Sequence, residues 1–251
     1  MRLVRLFTIA ASALALAFPP TTARAGDACP VVQREELVLP ATRAALRAGR
    51  PVTILALGSS STEGVGASSA QGTYPARLQA KLRHALTGHA LSVANRGKGG
   101  EDAAQMVARL GRELEATHPT LVIWQAGANS AARRENPARF AALMQEGIAR
   151  IQAAGADLVL MDNQRSPVIL ASTGHEAFDA ALARLADANH ASLFSRGALM
   201  RRWEQAGLPA TAVLSADGMH HNDLGYECLS AALAEAILAA TSRGAALAAM
   251  H

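Results

Sequence analysis

The chain of 251 residues is poor in cysteine, poor in aromatics and close to balanced in charge. Cys29 and Cys228 are its only cysteines, too few for a stapled scaffold, and neither C-x-x-C nor H-E-x-x-H occurs, so the spacings that hold zinc are missing. A chain of this length buries a sufficient core without staples. Aromatics make up 4% of the residues and no basic block is interleaved with them, which removes the usual footprint of a nucleic-acid binder. Lys and Arg exceed Asp and Glu by four, but Arg2, Arg5 and Arg24 lie in an N-terminal stretch that contains no acid. The remainder of the chain is nearly neutral. No internal repeat, low-complexity linker or change of composition divides it.

One apolar run stands out, Leu6 to Phe18, behind a basic start and ahead of Ala23-Arg24-Ala25. That order describes a secretory signal peptide, with cleavage expected near Ala25. Residues 1–25 are then the signal and residues 26–251 one domain, periplasmic or secreted, with no membrane span after cleavage. Export makes a Cys29–Cys228 disulfide possible. Two free thiols are the alternative, since sequence does not show how far apart the two Cα atoms lie. The Ala-rich tail after Thr241 is expected to fray.

Short apolar segments recur at Val52–Leu57, Leu91–Ala94, Leu121–Trp124, Leu158–Met161 and Ser192–Phe194. They do not alternate, as in strands buried on both faces. Helical periodicity fills the gaps at Tyr74–Leu86, Ala103–Ala116, Pro137–Ala153, Glu176–Ala188 and Leu224–Ala240. Strands alternating with helices predict an α/β fold with a central parallel sheet of about five strands and helices on both faces. Right-handed crossovers bring the loops after the strands to one edge, where open α/β sheets bind ligands.

The polar residues gather at those strand ends. "GSSSTEG" (58–64) follows the first segment, "NRGKGGED" (95–102) the second and "GANS" (127–130) the third, while "DGMHHN" (217–222) precedes the last helix. Singly, each is a weak signal, and a serine-rich strand-to-helix turn is more often capping or turn chemistry. Together they supply a serine, backbone amides, a side-chain amide and an Asp/His pair, the parts that acyl transfer through a serine requires. The elbow G-x-S-x-G is not met, because Thr62 stands at its second glycine, and Gly99 stands where a phosphate loop needs Ser or Thr.

These four segments resemble the four blocks of the SGNH, or GDSL-like, hydrolases, over residues 52 to about 238. The resemblance implies a flavodoxin-like three-layer α/β/α fold and hydrolysis of acyl esters without a cofactor or metal. Ser60 is then the nucleophile, His220 the general base and Asp217 its orienting partner. Ser60, Gly100 and Asn129 supply the oxyanion hole. Ser59 and Ser130 stand where the family usually has Asp. Arg165, Val168 and His221 are the candidates for contact with substrate, although His221 reads first as a helix-start residue with no chemistry. The expected substrate is a short acyl ester, O-acetyl above all, on a small molecule or a polysaccharide. A lysophospholipase or thioesterase role, or a non-catalytic carbohydrate-binding role, is the alternative. No nucleic-acid partner is expected.

Overall fold

The computed structural model describes residues 29–242; the expected signal peptide and the tail from residue 243 lie outside them. Five parallel strands build the sheet: β1 (Val52–Gly58), β2 (Leu91–Gly97), β3 (Leu121–Gln125), β4 (Asp157–Met161) and β5 (Ser192–Phe194). Their order is β2-β1-β3-β4-β5, the flavodoxin-like doubly wound arrangement. Each strand lies where the apolar segments predicted it, and β1 and β2 run on into the glycines beyond them.

Successive residues of one strand feed opposite cores. Ile54 and Ala56 of β1 join Ile123 and Val159 against α3 (Tyr74–Ala85), α9 (Arg196–Gln205) and α11 (Asp223–Ser242). Leu55 and Leu57 join Trp124 and Leu160 against α4 (Ala103–Thr117), α6 (Pro137–Ala153) and α8 (His175–Ala188). Burial on both faces explains why these strands are apolar throughout rather than alternating. α11 is long and apolar enough to cross a bilayer by composition, yet Leu229, Leu233 and Ile237 are buried against the sheet side. It is a core helix.

The helix starts follow local chemistry. Asp102 and Gln105 form a capping box at α4, and Asn136 caps α6 ahead of Pro137. α1 (Pro40–Arg47) is not expected from periodicity and has no cap of its own. The carboxylate of Asp157 at the start of β4 supplies one, accepting from the N–H groups of Ala41 and Thr42 and from the Thr42 hydroxyl. α9 is also unsignalled by periodicity. Its sequence, RGALMRRWEQ, is charged enough to hide the buried stripe of Leu199, Met200 and Trp203.

The two cysteines are joined. Cys29 and Cys228 form a disulfide with a Cα separation of 5.3 Å, tying the first described residues to α11.

Candidate active site

Strand register sets the site. Gly58 of β1 pairs with Gly97 of β2, Leu57 with Trp124 of β3, and Gln125 with Met161 of β4, so the carboxyl ends of four strands form one row. From that row β1 passes through Ser59 into the single turn α2 (Ser60–Glu63). The turn sits tightly against β2: a Cβ on Gly97 would lie 1.9 Å from the Glu63 nitrogen. No other residue fits there. The glycine is a close-approach residue, not merely a turn former.

Of the three consecutive serines, one faces the imidazole. Ser60 Oγ lies 2.7 Å from His220 Nε2, and His220 Nδ1 lies 2.6 Å from Asp217 Oδ2. An ionised carboxylate only accepts, so Nδ1 carries the proton and Nε2 is left to accept from the Ser60 hydroxyl. Ser59 is turned the other way, its Oγ donating to Gln125 Oε1 at 3.1 Å. Ser61 is buried.

Asp217 is held in place by its neighbours. Its Oδ1 accepts from Ser215 Oγ at 2.6 Å, from Met219 N–H at 2.9 Å and from His220 N–H at 3.0 Å. Partial burial disfavours its charge, but the hydrogen bonds from Ser215, His220 and the two backbone groups outweigh this and hold the carboxyl below its usual range. It stays ionised wherever the imidazole needs it.

Three donors stand at the ends of β2, β1 and β3. The backbone N–H of Ser60 opens α2 and, like other first-turn amides, lacks an intrahelical partner. Gly100, at φ +75°, closes the loop after β2 and bonds through its carbonyl to Arg133 Nη2 at 2.6 Å. Asn129 opens the short helix α5 (Ala128–Ala132) and gives one amide hydrogen to Glu101 O at 2.9 Å, leaving its second for a ligand. Asn129 and Arg133 thus tie the β2 and β3 loops together. Beneath them, the buried Arg109 of α4 bonds Glu101 Oε2 at 2.7 Å and the carbonyls of Arg96 and Gly58 at 2.8 and 3.3 Å. Sequence reasoning misses Arg109, Gln125 and Ser215; only Ser215, two residues before Asp217, carries a local signal.

The three substrate-contact candidates part company. Val168, in the one-turn helix α7 (Pro167–Leu170), is exposed and its N–H lies 3.5 Å from Gly218 O, beside the histidine loop. Arg165 instead borders a cavity of about 550 Å³ between the loop after β4, α8 and α9, with Asp162, Asp179 and Arg201; none of Ser60, Asp217 or His220 lines it. His221 is a correction. Its ring is fully buried between Trp203 and Tyr226 and bonds Val213 O at 3.1 Å, so it cannot touch a substrate. Burial, with Arg196 nearby, pushes it down to about 3, and it is neutral at working pH. Among the described residues no cluster of three His, Cys, Asp or Glu side chains could hold a metal ion.

Solved structures share this architecture. AlinE4, an SGNH-hydrolase family esterase, is 25% identical and superposes with a TM-score of 0.55 over 76% of this chain and 97% of its own. The acetyl xylan esterase AlAXEase is 18% identical at a TM-score of 0.63, over 74% of this chain and all of its own (100%). A two-domain esterase active on acetylated mannans, CEX, is 17% identical at 0.68, over 83% of this chain and 55% of its own. No curated protein matches the chain in sequence. Fold and site together define a carboxylic-ester hydrolase of the SGNH type. The chain belongs to the Non-GDSL lipase-like family, whose model matches residues 26–243.

Proposed function

We propose that this protein is an exported serine esterase that removes short acyl groups, O-acetyl above all, from carbohydrate through an acyl-enzyme on Ser60. The observation that carries the reading is the chain of contacts from Ser60 Oγ to His220 to Asp217, at 2.7 and 2.6 Å. In this reading His220 Nε2 takes the hydroxyl proton as Ser60 attacks the ester carbonyl. Asp217 stabilises the imidazolium without itself taking the proton. Negative charge develops on the carbonyl oxygen, where the Ser60 and Gly100 N–H groups and the Asn129 amide donate to it. Collapse breaks the ester C–O bond, and His220 passes its proton to the departing alcohol. Water, deprotonated by His220, then releases the acid and restores Ser60.

The acetyl-carbohydrate part rests on the likeness to esterases described as acting on acetylated xylan and mannan. All seven described aromatic side chains are buried, from Tyr74 to Tyr226, so recognition of a sugar falls to polar groups and not to ring stacking. Export is supported by the basic and apolar N-terminal sequence of residues 1–25 and by a disulfide, which persists in oxidising compartments.

One observation favours a second reading. Val65, whose N–H bonds Ser60 O, and Val168 and Leu170 are exposed apolar residues of the β1 and β4 loops. They would suit the longer acyl chain of a lysophospholipase or thioesterase substrate. The discriminating experiment is hydrolysis of p-nitrophenyl esters from acetate to decanoate, then acetate release from acetylated xylan. The proposal expects turnover to fall beyond four carbons and to vanish in Ser60→Ala while Ser61→Ala retains it. Turnover rising toward decanoate would favour the second reading, and an active Ser60→Ala would sink both.

A further inference from the structure

The loop after β4 buries an unusual run of polar side chains. Asp162, Asn163, Gln164 and Ser166 are all at least nine-tenths buried. Burial of polar groups is tolerated only where hydrogen bonds replace water. Three of the four serve the loop's own packing: Asp162 accepts from Ser195 Oγ and Gly197 N–H at the start of α9, Asn163 donates to Asp179 of α8, and Ser166 caps α7. Of the four, Gln164 is the one that reaches the histidine loop. Its Nε2 donates to Met219 O at 2.9 Å.

That carbonyl belongs to the peptide unit joining Met219 to His220. The opposite side of the same unit, the His220 N–H, donates to Asp217 Oδ1 at 3.0 Å. A peptide unit is planar and rigid, so two bonds at its two poles fix its orientation. The His220 Cα is fixed with it, and the His220 carbonyl accepts from Ser215 N–H at 2.8 Å, so the backbone that carries the imidazole is held on both sides. The turn satisfies its N–H groups internally, through Asp217 Oδ1 and Ser215 O, but its Gly218 and Met219 carbonyls point outward to the β4 loop. Asp217 holds the histidine from inside the turn. The β4 loop holds it from outside.

We infer that Gln164 is a positioning residue for His220, setting the backbone from which the imidazole meets Ser60. This rests on the serine-esterase reading, which Ser60→Ala tests separately. Gln164→Leu keeps the side chain's size and removes the donor. Its kcat for p-nitrophenyl acetate, per active site titrated with a phosphonate, should fall about 10- to 100-fold, the cost expected of a small misplacement of a reacting group. KM should stay within about twofold, because the ground-state ester makes no use of the imidazole's direction.

Gln164→Glu supplies the readout that a merely structural role would not move. A protonated carboxyl can donate to Met219 O, whereas an ionised one cannot and repels it. The variant's kcat relative to the parent's should be highest at the acid end of the range and fall as pH rises, since both enzymes need His220 neutral but only the variant loses the donor to Met219 O. Thermal unfolding of both variants identifies which of them fold. Should the leucine variant fail to fold, the pH profile of the glutamate variant decides alone. Parental kcat in folded Gln164→Leu, or a Gln164→Glu profile superimposable on the parent's, would overturn the inference.

Discussion

Gln125 Oε1 accepts from both the backbone N–H and the hydroxyl of Ser59, at 3.0 and 3.1 Å. Thr62 Oγ1 adds a third donor at 3.4 Å. Position 59 is where relatives of the SGNH type usually carry Asp, so here a neutral serine and an amide from β3 brace the turn in front of Ser60. The arrangement predicts unequal effects. Ser59→Ala loses one neutral hydrogen bond, about 1 kcal/mol, and should leave kcat nearly intact. Gln125→Leu strands the buried N–H and hydroxyl of Ser59, while Thr62 keeps Tyr74 as a partner, and it should cost several times more in urea unfolding, with a loss of kcat because the Ser60 turn is freed. Equal destabilisation by the two would show that Gln125 does not brace the turn.

The Cys29–Cys228 disulfide closes a sequence separation of 199 residues and lines a cavity with Phe194, Leu199 and Trp203 that none of Ser60, Asp217 or His220 borders. Chain-entropy arguments put the stabilisation from so long a loop at up to about 5 kcal/mol, and typical bridges give about 2–4. Reduction, or the Cys29→Ser/Cys228→Ser pair, should lower Tm by roughly 5–15 °C, at a few degrees per kcal/mol for a domain of this size. Esterase activity at 25 °C should persist, since neither sulfur touches the catalytic loops. An unchanged urea midpoint after complete reduction would refute the stabilising role.

His221 makes stability depend on pH in a direction that can be worked out. Folded, its imidazole is held down to about 3 by burial, with the nearby Arg196 adding to the effect. Unfolded, it takes a proton below about 6.5. Each unit of acidification below that point therefore favours the unfolded chain by about 1.4 kcal/mol. Asp162 runs the other way: burial raises it to about 6 against the bonds from Ser195 and Gly197, so between about 4 and 6 the folded carboxyl keeps a proton that the unfolded one releases. In the parent the two slopes offset. His221→Gln removes the first, so its stability deficit against the parent should shrink as pH falls from 6.5 to 4. Urea midpoints at pH 7, 6, 5 and 4 measure that gap; a constant gap would mean that folding does not perturb His221.

The contrast between His220 and His221 also shows how far sequence alone could reach. The five strands were legible because burial on both faces leaves an uninterrupted apolar run, and Ser60, Asp217 and His220 because they sit at strand or helix ends in short motifs. Which of two adjacent imidazoles meets Ser60 depends on the turn, closed by the antiparallel bridge Leu214–His221, that sends one ring outward and the other between Trp203 and Tyr226. Gln125 and Gln164 left no local signal, since their partners Ser59 and Met219 lie 66 and 55 residues away. Arg165 reads as a substrate contact because Gln164 and Val168 on either side of it touch the histidine loop, but it borders the separate cavity beside α8 and α9.

Asn129 offers the test of mechanism. One of its amide hydrogens is committed to Glu101 O at 2.9 Å, and the other is free for the oxygen that becomes negative as Ser60 attacks. An amide in that role matters little to the neutral ground-state carbonyl and much to the oxyanion. Asn129→Ala should accordingly lower kcat by about 10²–10³-fold with KM little changed, the usual cost of deleting one such donor. Arg133→Ala, which releases the Gly100 carbonyl but deletes no donor to the oxyanion, should cost less. Asn129→Asp should cost at least as much as alanine, because a carboxylate would face both the Glu101 carbonyl and the developing charge. Steady-state kinetics on p-nitrophenyl acetate, with unfolding curves to exclude loss of fold, separate these cases. A variant Asn129→Ala that raised KM and spared kcat would place the amide in ground-state binding and leave the oxyanion to the backbone of Ser60 and Gly100.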